Sequence, residues 1–278
     1  MKGKTMDKIQ ILNNYLDYLK ARGQSKNYYN IIKLFVEHLV NNNLEPEATT
    51  QETITTFFNA NPDYSSNTRN MFIKAGRSFY KFLNIPDDKN EWIKIKLLKV
   101  ATKQPDYLDE KDIAEAKKYL ITYHSKKMSI AKIEALIDFL FYSGARKQEV
   151  LLLKRADFNL EECSVKVFGK GQKERILYYS KEVKNKIETY FASEPEAINA
   201  FNISLGQLNY LPKVIAKHIG RNVYMHLFRH SACRFMQRKG VPLAVVQGIM
   251  GHASIQTTMI YSGENEEGRK NEYKKHIG

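Results

Sequence analysis

The stretch HLFRHSACRFMQRKGVPLAVVQGIMGHASIQTTMIY, residues 226–261, organises the reading of the whole chain. Its first part has Phe228, Ala232, Phe235 and Met236 at helical spacing and a stop at Gly240, which predicts a helix over 226–239. His226 and Arg229 are three apart on that helix and therefore share a face. A second helix, Leu243 to Met250, ends at Gly251; His252 follows, then a cap at Ser254 and Tyr261 nine residues after His252. Two helix-scale segments can thus gather His226, Arg229, His252 and Tyr261 around one small anion. Taken singly each residue is ordinary, since a lone histidine, arginine or tyrosine on a helix is usually packing or solvated surface. Their order and spacing carry the signal.

Two upstream pieces extend the pattern: Arg146 in SGARKQEVLLL (143–153) and Lys170 in VKVFGKGQKERILYY (165–179). Arg, Lys, His-x-x-Arg, Gly-His and Tyr, in that order, strongly resemble the tyrosine recombinases, the phage-integrase and Xer-like enzymes. The resemblance matches Arg146 to the first family arginine and Glu149 to the acidic residue a helical turn later. It matches Lys170 to the hairpin lysine, His226 and Arg229 to the central pair, His252 to the second histidine position, and Tyr261 to the nucleophile. Two departures are visible: Ala145 stands where a leucine is usual, and the segment between the hairpin and His226 is shorter than in most relatives.

The chemistry of these groups at a phosphodiester is consistent with that assignment. A phenol with a pKa of about 10 is a poor nucleophile, so the site must remove the proton of Tyr261 and stabilise the charge that develops. Arg146 and Arg229 suit the non-bridging oxygens, Lys170 the departing 5′ oxygen as general acid, His226 the assistance of Tyr261, and His252 a hydrogen bond to phosphate. Glu149 suits a supporting hydrogen bond. The product is a 3′-phosphotyrosine link that a 5′ hydroxyl can reverse without ATP, metal or other cofactor. The sequence lacks the carboxylate cluster a two-metal nuclease needs. A type IB-like topoisomerase shares the chemistry, and a non-catalytic DNA-binding protein could share the fold; the complete polar set speaks against the latter.

Composition agrees. The 278 residues are 43% hydrophobic and 27% charged, enough for two modest cores, and 44 Lys and Arg against 30 Asp and Glu leave a net charge of +14. A polyanionic partner follows, although charge alone does not separate nucleic acid from a membrane surface. Residues 1–103 hold 16 basic and 10 acidic side chains and the remainder 28 and 20, so both parts can face one polyanion. No apolar run approaches the roughly 18 residues of a membrane span. The start MKGKTMDKIQ has no signal-peptide core, and Cys163 and Cys233 form neither a metal motif nor a disulfide framework. The expected setting is the prokaryotic cytoplasm, away from membranes. The expected partner is double-stranded DNA bearing a specific recombination site, bound by a protein monomeric when free and assembled as a homo-tetramer on paired sites.

The fold class expected is mainly α with a small β-sheet or hairpin (α+β): a helical core-binding domain over 1–86, a charged linker over 87–104 containing Trp92, and a catalytic domain over 105–278 with a tail over 262–278. In the first domain helices are predicted over Asp7 to Arg22, from a Ser25 cap, from a Thr50 cap, and from Ser65 or Ser66 to Leu83. Lys74, Arg77 and Lys81 recur at i, i+3 and i+7 on the last of these as a basic stripe for phosphate. In the second, Ile130 to Tyr142 is apolar nearly all round and predicts a buried helix. Strands over 164–168 and 175–179 flank a basic loop, with Lys173 and Arg175 as further backbone contacts. Helices follow over 180–191 and 204–220, the latter interrupted by Pro212, and Arg234 and Arg238 add phosphate-seeking charge to the 226–239 helix.

Overall fold

A computed structural model describes residues 8–23, 26–100, 106–124, 128–169 and 174–251. The chain divides into two compact units between Ala101 and Thr102.

The first unit contains α1 (Lys8–Ala21), α2 (Asn27–Asn41), α3 (Gln51–Asn59), α4 (Ser66–Phe82) and a single turn, α5 (Glu91–Lys94). The predicted caps at Thr50 and Ser65 form: Thr50 Oγ1 accepts from Thr53 N at 3.2 Å and Ser65 Oγ from Thr68 N at 3.2 Å. Ser25 lies outside the described residues. The core is aromatic, with Tyr15, Phe35, Phe57, Phe72, Phe79 and Tyr80 buried together.

Trp92, expected in a linker, is fully buried in this core. It meets Phe35 edge-on with centroids 4.8 Å apart, and its indole lies flat over Gly76, where an added Cβ would come within 2.2 Å of the ring. The segment after Pro86 is therefore an integral part of the first unit at least as far as its anchor points. Arg77 reinforces this: its Nε donates to Trp92 O at 3.1 Å and its Nη2 to Ile95 O at 2.7 Å. The middle residue of the expected stripe is thus half-buried and bonded within its own unit, while Lys74 and Lys81 are exposed.

The second unit opens with α6 (Glu110–His124) and α7 (Ile130–Ser143), then α8 (Lys147–Leu152), a sheet of β1 (Phe158–Asn159), β2 (Ser164–Phe168) and β3 (Glu174–Tyr178), and α9 (Lys181–Ser193). It continues with α10 (Leu205–Ile219), α11 (Met225–Arg238) and α12 (Leu243–Met250). As its composition predicts, α7 is buried on every side, Leu136, Phe139 and Leu140 included. It also buries Asp138, whose carboxylate is held by Lys117 at 2.8 Å and Lys186 at 2.5 Å, the pairing that a charge in a core requires. The sheet is antiparallel in the order β1-β2-β3, one short strand more than the expected hairpin.

α10 departs from expectation by running unbroken through Pro212. The proline removes one backbone donor, but Leu208, Leu211, Val214 and Ile215 bury one continuous face that straddles it. Tertiary packing over about one turn on either side outweighs the lost hydrogen bond.

Candidate active site

The end of α7, the start of α8 and the end of α12 meet α11 where Arg146 and Arg229 converge. Gly144 closes α7 with a left-handed backbone, φ 64°, a conformation that suits glycine. A side chain there would also strike Met250, since an added Cβ would lie 2.6 Å from its Cε. The turn delivers Arg146 as the N-cap of α8, with Glu149 at its third position. Glu149 Oε2 accepts the Arg146 backbone N–H at 2.7 Å and Oε1 accepts from Arg146 Nη1 at 3.1 Å. From β3, Arg175 places Nη1 2.8 Å from Oε1 and Nη2 2.9 Å from Oε2, fork against fork. Burial pushes the Glu149 carboxyl up from its ordinary value, while the Arg146 backbone N–H and the Arg146 and Arg229 charges pull it back.

The other restraint comes from the end of α12. Arg146 Nη2 donates to Met250 O at 3.1 Å and Gly251 O at 3.0 Å. Arg229 Nη2 donates to the same Met250 O, and its Nη1 to Gly144 O at 2.9 Å. Last-turn carbonyls have no partner within their own helix and carry its negative pole, so two guanidiniums satisfy them well. The two arginines differ in access. Arg146 leaves 33% of its side chain exposed, whereas Arg229 is 2% exposed.

His226 stands one turn before Arg229 on α11 with an exposed edge. Partial desolvation, then the Arg229 and Arg146 charges, hold its pKa below 6.5, so the imidazole is neutral at pH 7. His230, a further turn along, meets it edge-on with centroids 4.7 Å apart. Desolvation first, then the charges of His226 and Arg229, lower His230 to about 4. His230 was not singled out from sequence; its place four residues after His226 was the available signal.

Of the remaining candidates, Lys170, Lys173, His252 and Tyr261 lie outside the described residues, as does the tail 262–278. Arg175 is 11% exposed and bound to Glu149. Arg234 is half-buried with its guanidinium 5.8 Å from the Tyr107 ring centroid, and Arg238 is exposed on the last turn of α11. Ser231 Oγ accepts from Leu108 N at 2.7 Å and so ties the start of the second unit to the helix bearing His226 and Arg229. The backbone acceptors Met250 O and Gly251 O could not be found from side-chain identity.

Residues 107–267 match the phage integrase family, a span that contains every candidate catalytic position and more than half of the chain. The chain belongs to the phage integrase family. Among curated members it is similar to tyrosine recombinase XerA of Pyrococcus horikoshii, 26% identical with 91% of this chain and 88% of that one covered. It is also similar to tyrosine recombinase XerC of Pediococcus pentosaceus, 26% identical with 74% of each chain covered. Its fold is that of the XerH site-specific recombinase solved on its difH substrate, at TM-score 0.71 and 19% identity, with 100% of this chain and 91% of that one covered. Like those integrase-family proteins, it is a tyrosine-type site-specific DNA recombinase.

Proposed function

We propose that this recombinase cuts and rejoins double-stranded DNA at a specific site by transferring a strand to Tyr261, with Arg146 and Arg229 binding the scissile phosphate. The observation that carries this reading is the convergence of two arginines from α8 and α11 on one carbonyl, Met250 O. A rigid pair of guanidiniums neutralises the charge that builds on the non-bridging oxygens as phosphorus becomes five-coordinate. Arg146, the more exposed, is the first contact. Arg229 acts from beneath, 2% exposed and held by Gly144 O and Met250 O.

In this scheme the Tyr261 oxygen attacks phosphorus and its proton passes to the neutral His226 imidazole. The bond to the 5′ oxygen breaks, Lys170 protonates that oxygen, and His252 hydrogen-bonds the phosphate. A 3′-phosphotyrosine and a free 5′ hydroxyl result. Rejoining reverses the flow with another strand's hydroxyl, which conserves the bond energy. Lys74, Lys81, Lys173, Arg234 and Arg238 are the backbone contacts that position the duplex. Both units bind DNA, four protomers assemble on two sites, and the protein works in the cytoplasm. Among the described residues no helix is long and apolar enough to cross a membrane.

The test is a nicked suicide substrate: the short fragment bearing the free 5′ hydroxyl diffuses away, rejoining is prevented, and the adduct on the other fragment's 3′ phosphate is read on a denaturing gel. Wild-type protein forms the adduct; Tyr261→Phe forms none while binding DNA nearly as well, because it loses only a hydroxyl. An adduct with Tyr261→Phe moves the nucleophile elsewhere.

A further inference from the structure

We infer that Arg175 is a positioning residue for strand cleavage, holding Arg146 in its working orientation from two sides. The inference rests on the reading of Arg146 as a phosphate clamp and goes beyond it. Arg175 is expected from sequence among the backbone contacts, but its side chain is 11% exposed, and among the described residues its buried Nε finds no acceptor. Arg229 gives its fork to neutral carbonyls, which leave its positive charge available to a phosphate. Arg175 instead spends its fork on Glu149, the carboxylate that also takes the Arg146 backbone N–H and Nη1.

The second side is Gly251. Its carbonyl accepts Arg146 Nη2 at 3.0 Å, and the Arg175 stem lies directly on it, so close that an added Cβ would come within 3.1 Å of Arg175 Cδ. Arg175 therefore lies against two of the three groups that restrain the Arg146 guanidinium: the carboxylate at Nη1 and Gly251, whose carbonyl accepts from Nη2 beside that of Met250. The strand supplies the rigidity. Arg175 pairs with Val167 in the β2–β3 register and points inward with Leu177, which is fully buried.

The charge arrangement has the same consequence. Glu149 is buried and faces Arg146, Arg175 and Arg229. With Arg175 present each carboxylate oxygen takes a second hydrogen bond besides the one from Arg146; without it, the buried carboxylate keeps only half of that cationic fork, takes up a proton more readily, and anchors the Arg146 plane less firmly. A misplacement of about 1 Å at a reacting centre can cost on the order of 10²-fold in rate.

The experiment measures single-turnover cleavage by the full chain on two suicide substrates, one with a normal scissile phosphate and one with an uncharged methylphosphonate there. On the normal substrate Arg175→Gln falls by on the order of 10²-fold with DNA affinity nearly unchanged, and Arg175→Lys, which keeps one ion pair but no fork, falls less. An uncharged phosphorus centre needs the clamp less, so the losses of Arg146→Ala and of both Arg175 variants shrink together on methylphosphonate. Adding Arg175→Gln to Arg146→Ala costs little more. If Arg175→Gln unfolds, Arg175→Lys carries the same comparison. A loss from Arg175 substitution that is equal on both substrates, while that of Arg146→Ala shrinks, overturns the inference and leaves Arg175 a packing residue. A loss from Arg146→Ala that does not shrink overturns the clamp itself, and this inference with it.

Discussion

Gly76→Ala tests how the first unit is closed, because Gly76 is where the Trp92 ring rests. An added Cβ would stand 2.2, 2.5 and 2.6 Å from three indole atoms, where ordinary contact begins near 3.4 Å. The ring must move by about 1 Å, yet it is fully buried and held edge-on by Phe35, with centroids 4.8 Å apart, and by Phe58 at 6.3 Å. Overpacking of this kind costs ~1–3 kcal/mol, and weakening two aromatic contacts worth ~0.5–1.5 kcal/mol each adds part of their value. The expected loss is about 3 kcal/mol. Trp92 is the single tryptophan of the chain, so its fluorescence follows the first unit alone. With a urea slope of ~1.5 kcal/mol/M, the midpoint of its red shift falls by roughly 2 M. Trp92→Leu vacates space above Gly76, and in that background, followed by circular dichroism of a 1–101 fragment because the tryptophan is gone, the alanine should cost less than ~1 kcal/mol, a coupling that a double-mutant cycle on the fragment reads directly. A midpoint shift equivalent to less than ~0.5 kcal/mol in the Trp92 protein would refute the packing argument. The same geometry places the functional end of the first unit beyond residue 86: a 1–101 fragment should unfold cooperatively by circular dichroism, and a 1–86 fragment, deprived of Trp92, should not.

Other expectations separate roles within the site. Lys170→Ala should recover substantially on a substrate whose 5′-bridging oxygen is sulfur, because a thiolate leaves without protonation, whereas Arg146→Ala should not; equal recovery of both removes Lys170 from the acid role. His230 has a folded pKa depressed from 6.5 to about 4, so the unfolded chain takes up its proton first as pH falls. Stability of the second unit should therefore decline from pH 6.5 toward 4, and His230→Asn should flatten that slope in denaturant titrations. Lys74→Ala and Lys81→Ala should each lower the slope of log affinity against log salt by about one. Arg77→Ala should instead destabilise the first unit, since its donors serve Trp92 O and Ile95 O.

Much of this protein is legible in its sequence because the relevant signals are local. Helical periodicity and caps at Thr50 and Ser65 depend on neighbours within a turn or two, and both of those caps form. The order Arg146, Lys170, His226, Arg229, His252, Tyr261 is a linear pattern, and it sufficed to place the chain in its family. Other features needed the tertiary structure because they join residues that are remote along the chain. Nothing near Arg175 announces that it will meet Glu149, 26 residues earlier, and turn inward from solvent. The polarity of the segment around Trp92 suggests a linker until the ring is seen above a glycine that leaves room for it. Pro212 reads as a break in a local rule, and only the buried face shared by both halves of α10 overrides it. The carbonyls of Met250 and Gly251, which receive the two site arginines, are present at every residue alike. Only the end of a helix, where carbonyls lack intrahelical partners, sets them apart, and only the packing of α12 against α11 and β3 brings that end to the arginines.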